Sequence, residues 1–170
     1  MLRPAADPAP QMNEFQLSIA RLPEGPSRTV LEAGSDADDL AVGEWVRPLA
    51  LDLRVDKLGE QVTLRGRLTG EARAECARCL EPFALTLDTE FAAFAERGGE
   101  LAEGAEGSTG EDYVLAHDGR TLDLNDAVRE QVLLALPMVL LCRPDCAGLC
   151  PRCGANRNAA NCTCGTGAAG

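Results

Sequence analysis

The residues of this chain whose types and spacing could do chemistry are its eight cysteines. Two of them form the pair Cys76-Ala-Arg-Cys79, and the rest lie within residues 142–164. The C-terminal set comprises Cys142, Cys146, Cys150, Cys153, Cys162 and Cys164. Thiols at this density are disulfides, metal ligands or redox groups, and the choice among these three decides what the protein does.

The cellular compartment expected for this protein favours metal binding over disulfides. Residues 1–8 lack the apolar stretch of a signal peptide, and no run of about 18 apolar residues could span a membrane. We therefore expect a cytoplasmic protein, in which thiols stay reduced and disulfides are rare. Paired cysteine spacing in such a protein indicates zinc.

The cysteines can be divided into two sites. Cys150-Pro-Arg-Cys153-Gly154 has the form of a zinc knuckle, and Cys162-Thr-Cys164 can supply the other two thiolates of a tetrahedral ion. A second zinc would then be held by the four cysteines that remain, which are Cys76, Cys79, Cys142 and Cys146. Two ions are the favoured count and one is the alternative, with Cys142, Cys146, Cys150 and Cys153 as the rival single site.

A thioredoxin-like redox pair at Cys76 and Cys79 is a further alternative. That motif belongs at a helix N-terminus in a βαβ unit, whereas this pair lies between two alternating β runs. His117 precedes Asp118-Gly119 and is expected to be an exposed loop residue rather than a ligand. No catalytic triad, phosphate-binding loop or paired-carboxylate pattern is present, so we expect no enzymatic activity.

The charge of the chain points in two directions. A net charge of −11 is unlike that of most nucleic-acid binders, which carry a basic surface. Seven arginines are nevertheless grouped along one strand or around the cysteines, where they could contact phosphates. They are Arg65, Arg67, Arg73, Arg78, Arg143, Arg152 and Arg157. The alternative is that these arginines form a solvated, solubilising surface.

The elements that position the cysteines are mainly strands. Apolar residues alternate with polar ones over 49–55, 62–76 and 83–87, which predicts strands on either side of the Cys76/Cys79 turn. Shorter strands are expected at 15–19 and 113–115, and residues 23–43 read as a loop in which 29–31 could pair briefly. Helical spacing begins after Asp123, a candidate N-cap, and should end at Leu136-Pro137. We expect an α+β fold in which a curved antiparallel sheet is packed by one main helix and followed by a Cys-rich zinc-binding C-terminal segment.

Composition sets the expected boundaries. Residues 1–12 are rich in Pro and Ala and indicate a flexible arm. Residues 13–141 form the α+β domain, with a disordered acidic insertion at 97–112 that has too little apolar surface to order itself. Residues 142–164 are the zinc-knuckle segment, and 165–170 a flexible tail.

Two segments resemble a known family. The stretch from Cys76 to Phe83 resembles the CxRCLxxF signature of the YceD family, the large ribosomal RNA accumulation proteins. The C-terminal block resembles that family in Leu134–Pro137, Cys142, Asp145, Cys146, Gly148–Gly154, Asn156 and Asn158, so that the likeness covers about residues 45–164. The resemblance implies a non-enzymatic role in bacteria or plastids, with ribosomal RNA or a precursor large subunit as partner, and zinc that stabilises the fold. The competing hypothesis is an acidic adaptor or chaperone for a basic ribosomal protein.

Overall fold

The computed structural model describes residues 15–33, 44–98 and 112–159, together with 162 and 164. The expected arm at 1–12, the expected tail at 165–170 and positions 99–111 of the expected insertion lie outside the described residues. In chain order the elements are β1 (Gln16–Ser18), a 3-10 turn (Ile19–Arg21), β2 (Gly25–Glu32), β3 (Glu44–Leu58), β4 (Gln61–Glu75), β5 (Pro82–Arg97), β6 (Tyr113–His117), β7 (Thr121–Asp123) and helix α1 (Asn125–Ala135).

Strands β2 to β6 form one curved, open sheet in that order. The alternation predicted for β3 and β4 is confirmed, because Leu51 and Leu53 are fully buried while Arg54 is exposed. Leu51 lies opposite Leu68 across the β3–β4 pair. Burying a leucine side chain contributes about 1.5–3 kcal/mol. The apolar face of these two strands therefore supplies much of the core.

Two glycines of β4 allow the long strands to pack closely. A Cβ on Gly66 would overlap the backbone carbonyl oxygen of Asp52 in β3. A Cβ on Gly70 would lie 2.8 Å from the Trp45 ring and 2.9 Å from Leu49. The pairing register of β3 shifts between Trp45 and Ala50, at the level where the Trp45 ring packs over Gly70. The irregularity of the pair is thus on β3, the strand opposite these glycines.

Two expectations about the sheet are wrong. Strand β6 pairs with β5 in parallel, so the sheet is mixed rather than antiparallel. The connection over residues 98–112 is long enough for a parallel return, which needs about a dozen residues. Residues 25–32, expected as loop with brief pairing at 29–31, form strand β2 and pair with β3 over all eight positions.

One face of the sheet is covered by a second layer. Strands β1 and β7 pair with each other, and helix α1 packs against β5. Ala127, Val128 and Val132 of the helix join the same buried cluster as the inner side chains of the sheet. No helix in the described ranges has the length and apolar character needed to cross a membrane.

The ends of the helix follow the local chemistry. The Asp123 carboxylate accepts hydrogen bonds from the backbone and side-chain amides of Asn125, although Leu124 occupies the cap position. Leu136 is extended, with φ −76° and ψ 136°, so the helix ends before Pro137 as predicted.

His117 is a buried residue of strand β6, not an exposed loop residue. Its Nε2 lies 2.9 Å from the Glu60 carbonyl oxygen, and its Nδ1 accepts from the Gly119 amide at 3.0 Å. The ring therefore joins the β3–β4 turn to the end of β6, a tertiary role that the neighbouring Asp-Gly turn does not reveal.

Candidate metal centres

The first group of four cysteines joins the β4–β5 hairpin to the segment that follows the helix. We call it the inner group; it comprises Cys76, Cys79, Cys142 and Cys146. The Sγ atoms of Cys76 and Cys146 are 3.7 Å apart, as are those of Cys79 and Cys142. All four Sγ atoms lie within 4.8 Å of one another, and three of the four residues are buried.

The hairpin turn aims two thiols at one point. Cys76 and Cys79 occupy the tip between β4 and β5, as predicted. The turn is closed by the Leu80 amide, which donates to the Cys76 carbonyl at 2.9 Å, and Leu80 has a left-handed φ of 59°. This conformation costs a residue with a side chain about 1–2 kcal/mol. The strained residue, Leu80, thus lies in the turn that brings the sulfurs of Cys76 and Cys79 together.

Backbone contacts bring the remaining two thiols to the tip. The Ala77 amide donates to the Leu140 carbonyl at 2.8 Å, which places the segment after Pro137 beside the turn. Gly148 lies against the carbonyl of Arg78, since a Cβ there would be only 3.0 Å from that oxygen. The Leu149 amide donates to the same carbonyl. We call the segment from Pro137 to Cys164 the cysteine tail, or the tail for short. It is therefore attached to the sheet at the inner group.

The second group is formed within the tail. We call it the outer group; it comprises Cys150, Cys153, Cys162 and Cys164. The Gly154 amide donates to the Cys150 carbonyl at 2.9 Å, and Gly154 has a left-handed φ of 72° that suits glycine. Cys153 and Cys162 have their Sγ atoms 3.5 Å apart. Cys153 is exposed and Cys150 is buried, so this group lies nearer to solvent than the inner one.

The spacing within both groups fits a tetrahedral metal. A zinc ion with four Zn–S bonds of about 2.3 Å has neighbouring sulfurs about 3.8 Å apart. Three Sγ–Sγ separations, of 3.5 to 3.7 Å, are close to that value, and all pairs within each group lie within 4.8 Å. All eight cysteines are free thiols. Each group could therefore hold one metal ion.

The ionisation of the sulfurs points the same way. Burial opposes ionisation of Cys76, but backbone amides of Cys142, Cys79 and Arg78 bring its pKa down to about 6. Burial and the sulfurs of Cys79, Cys146 and Cys76 raise the pKa of Cys142 to about 12. In the outer group, backbone amides of Cys153 and Arg152 lower the pKa of Cys150 to about 6.

The sulfurs of Cys153 and Cys162 raise the pKa of Cys164 to about 12. Each group thus combines a sulfur stabilised as an anion with one on which its neighbours disfavour a second negative charge. A divalent cation at the centre would relieve that repulsion.

Two asparagines connect the groups, and sequence reasoning noted them only as part of a resemblance. The Asn158 side-chain amide donates to the Cys146 sulfur at 3.3 Å and to Asn156 Oδ1 at 2.9 Å. Asn156 in turn donates to Glu81 on the hairpin at 3.3 Å.

The single-site alternative is wrong in geometry, because Cys142 and Cys146 belong to one group and Cys150 and Cys153 to the other.

The seven arginines expected to contact phosphate fall into two sets. Three of them donate hydrogen bonds to residues of the cysteine segment. Arg78 donates to the Cys146 carbonyl and Arg152 to the Cys164 carbonyl. Arg143 donates to the side-chain oxygen of Asn158. Arg157 is exposed in the same segment.

The other three expected arginines lie on strand β4. Arg65 and Arg67 pair with Asp112 and Asp88 respectively, and Arg73 is exposed further along the strand. The arginines thus lie in the cysteine segment and on strand β4, as the sequence indicates.

Comparison with known proteins identifies a family. The model of the family described as "Large ribosomal RNA subunit accumulation protein YceD" matches residues 64–168. An uncharacterized protein of Mycobacterium leprae is 36% identical over 122 residues, which are 68% of this chain and 52% of that protein. Uncharacterized proteins of Mycobacterium tuberculosis and Mycobacterium bovis are each 38% identical over 109 residues, which are 62% of this chain and 50% of theirs. The chain thus spans about half the length of these relatives, and no solved structure matches it.

Proposed function

The chain belongs to the YceD family, and from this premise we propose that it promotes the accumulation of large-subunit ribosomal RNA as a non-enzymatic factor stabilised by two zinc ions. One observation carries the zinc part of the proposal. Eight cysteines from a hairpin tip and a distant tail converge into two groups, each with the dimensions of a four-thiolate zinc site. Two such sites would use all eight cysteines as ligands, which supports a binding role rather than catalysis.

Zinc would act here on the fold. The inner group joins residues 63 to 70 positions apart in sequence, so an ion there closes the hairpin tip onto the tail. Structural zinc contributes about 10–16 kcal/mol of apparent binding free energy to a folded site. That contribution would order a segment in which Met138, Val139 and all four residues of 151–154 are exposed.

The test of the RNA part is association in cells. Tagged protein from bacteria making ribosomes should co-sediment with precursor large subunits, and the association should weaken as salt rises. Deleting the gene should lower large-subunit ribosomal RNA relative to small-subunit RNA. Sedimentation only as free protein, with unchanged RNA, would contradict the proposal.

An acidic adaptor for a basic ribosomal protein is the second candidate, favoured by one feature of the surface. A cavity of about 590 Å³ beside β5 and α1 is lined by four acidic residues and one basic residue, which are Asp88, Glu90, Asp112, Glu130 and Arg65. Partners that survive nuclease treatment would favour the adaptor, whereas partners lost with the RNA would favour direct RNA binding. Either role belongs with ribosome assembly in the cytoplasm.

A further inference from the structure

Three arginines lie side by side across the sheet, a relationship that the sequence alone does not show. In the strand register, Arg28 of β2 is opposite Arg54 of β3, and Arg54 is opposite Arg65 of β4. Side chains opposite one another in antiparallel strands point to the same face. All three side chains are on the exposed face, away from the layer formed by β1, β7 and α1. We call this set the arginine row.

Repulsion between the arginines of the row destabilises the sheet. Like charges directly opposite each other on neighbouring strands are destabilising, and here the unfavourable pairing occurs twice in succession. Carboxylates offset the charge at both ends: Asp52 pairs with Arg28 through two hydrogen bonds, and Asp112 lies 3.7 Å from Arg65. Among the described residues, no carboxylate is within ion-pair distance of the central Arg54, although Asp52 attracts it at longer range. Repulsion of this kind within the row would be relieved by a ligand that carries negative charge, and the row therefore indicates such a ligand.

The surroundings of the row fit an extended ligand. A cavity of about 580 Å³ lies along it; all three arginines line this cavity, Ser27 and Thr63 contribute hydroxyl groups, and Asp56 contributes one carboxylate. Strands are about 4.8 Å apart, so the three arginines span roughly 10 Å, the length of about three stacked nucleotides. Half-buried Phe94 lies opposite Thr63, on the same face and two residues along β5 from Ala92, the partner of Arg65. Aromatic side chains on a sheet face offer a stacking surface for unpaired bases.

We propose that the arginine row binds the phosphate backbone of a single-stranded segment of RNA, with Arg54 as its central contact. The planar guanidinium group donates to two phosphate oxygens at once, which a single lysine ammonium does not match. The overall charge of −11 makes such a local basic row necessary for any direct RNA contact. The inference rests on the proposed role with ribosomal RNA and adds the surface that touches it. Arg28 and Arg54 join Arg65, the only member of the row that the sequence had indicated.

The direct test is fluorescence anisotropy with a labelled 12-nucleotide oligouridine over a range of salt concentrations. Arg54→Gln should weaken binding severalfold and reduce the magnitude of the salt slope by about 0.7, the value for one phosphate contact on a single strand. The triple change Arg28→Gln, Arg54→Gln, Arg65→Gln should reduce it by about 2. Arg21→Gln is the matched control, because Arg21 is exposed in the 3-10 turn of the opposite layer.

Thermal unfolding of the same variants separates binding from folding. Removing Arg54 relieves two like-charge contacts, so its variant should not unfold at a lower temperature than the wild type. Wild-type protein that does not bind the oligonucleotide would overturn the proposal. An unchanged affinity and salt slope for the triple variant, or an equal loss for Arg21→Gln, would also overturn it.

Co-sedimentation distinguishes this inference from the proposed function. If the wild type and the triple variant associate equally with precursor large subunits, the arginine row is not the contact and the proposed function stands. If the wild type itself fails to associate, the proposed function fails. Association by the wild type and its loss in the triple variant would support both.

Discussion

The side-chain amide of Asn158 donates a hydrogen bond to the sulfur of Cys146 at 3.3 Å. Its oxygen accepts from the Ala147 amide at 2.8 Å and from Arg143 at 2.7 Å, so the orientation of the amide is fixed from both ends. Hydrogen bonding to the anionic form of a ligand lowers its pKa, and Asn158 acts in this direction on Cys146, against burial. Asn158, in the segment between Cys153 and Cys162 of the outer group, therefore stabilises the thiolate form of a cysteine in the inner group.

Replacing that amide tests the relationship. Asn158→Asp exchanges the donor N–H for a carboxylate beside the sulfur, which should repel the thiolate and weaken the inner metal site. Changes to groups that hydrogen-bond metal ligands typically cost 10–100-fold in metal affinity. Competition with a chromogenic zinc chelator measures the loss. Gln61→Glu makes the same chemical change at an exposed position of β4 and should leave zinc affinity unaltered; an equal affinity for both variants would refute the role of Asn158.

Two glycines of the tail form a matched pair for testing how it is docked. Gly148 and Gly154 have φ values of +69° and +72°, so alanine at either position costs about 1–2 kcal/mol of backbone strain. Only Gly148 faces the sheet: a methyl group there would lie 3.0 Å from the Arg78 carbonyl, whereas nothing is within 4 Å at Gly154. Gly148→Ala should therefore destabilise the zinc-loaded protein by about 1 kcal/mol more than Gly154→Ala in urea unfolding. Equal losses would show that the contact with Arg78 contributes nothing.

The packing of the sheet can be tested at Gly66. An alanine methyl group there would overlap the backbone oxygen of Asp52, so strands β3 and β4 must separate. Overpacking of this kind costs about 1–3 kcal/mol. Gly98→Ala is the control, since nothing lies within 4 Å of that position. Free energies of unfolding that agree for the two variants would mean that the strands do not approach as closely as described.

Metal removal should loosen the tail and leave the sheet intact. Trypsin cleaves after Arg152 and Arg157, which lie in sequence between Cys150 and Cys162 of the outer group, whereas Arg54 lies within paired strand β3. After chelation, cleavage at the two tail sites should accelerate while cleavage at Arg54 stays slow, as mass spectrometry of the fragments would reveal. Re-adding zinc should restore resistance. Rapid digestion throughout the chain would instead mean that zinc supports the whole domain, and unchanged resistance would mean that it supports neither part.

The sequence predicts those elements whose structure is determined by neighbouring residues in the chain. The alternation around Leu51 and Leu64 gives strands β3 and β4, and Leu136-Pro137 gives the end of the helix. Strand β2 was missed because Gly25, Pro26 and Ser27 are typical of loops, and only pairing with β3 makes that segment extended. The parallel β6 and the burial of His117 depend on where distant strands meet, which period-two patterns do not encode.

The candidate sites show the same division. Cysteine spacing together with the hairpin prediction was enough to propose both groups of four, because the Cys76–Cys79 turn had to lie at a strand end. The arginine row was not predicted, since it depends on the register that sets Arg28 and Arg54 beside Arg65. Asn158 was also beyond reach as a hydrogen-bond donor to a sulfur, because an asparagine in a loop carries no signal of its partner.

The count of zinc ions per chain tests the central claim most directly. Native mass spectrometry, with elemental analysis of the same sample, should find two zinc ions in the wild type. It should find one in Cys76→Ser/Cys79→Ser and one in Cys150→Ser/Cys153→Ser, because each change disables a single group. A wild type with one ion or none, or a Cys76→Ser/Cys79→Ser protein that still holds two, would contradict the account.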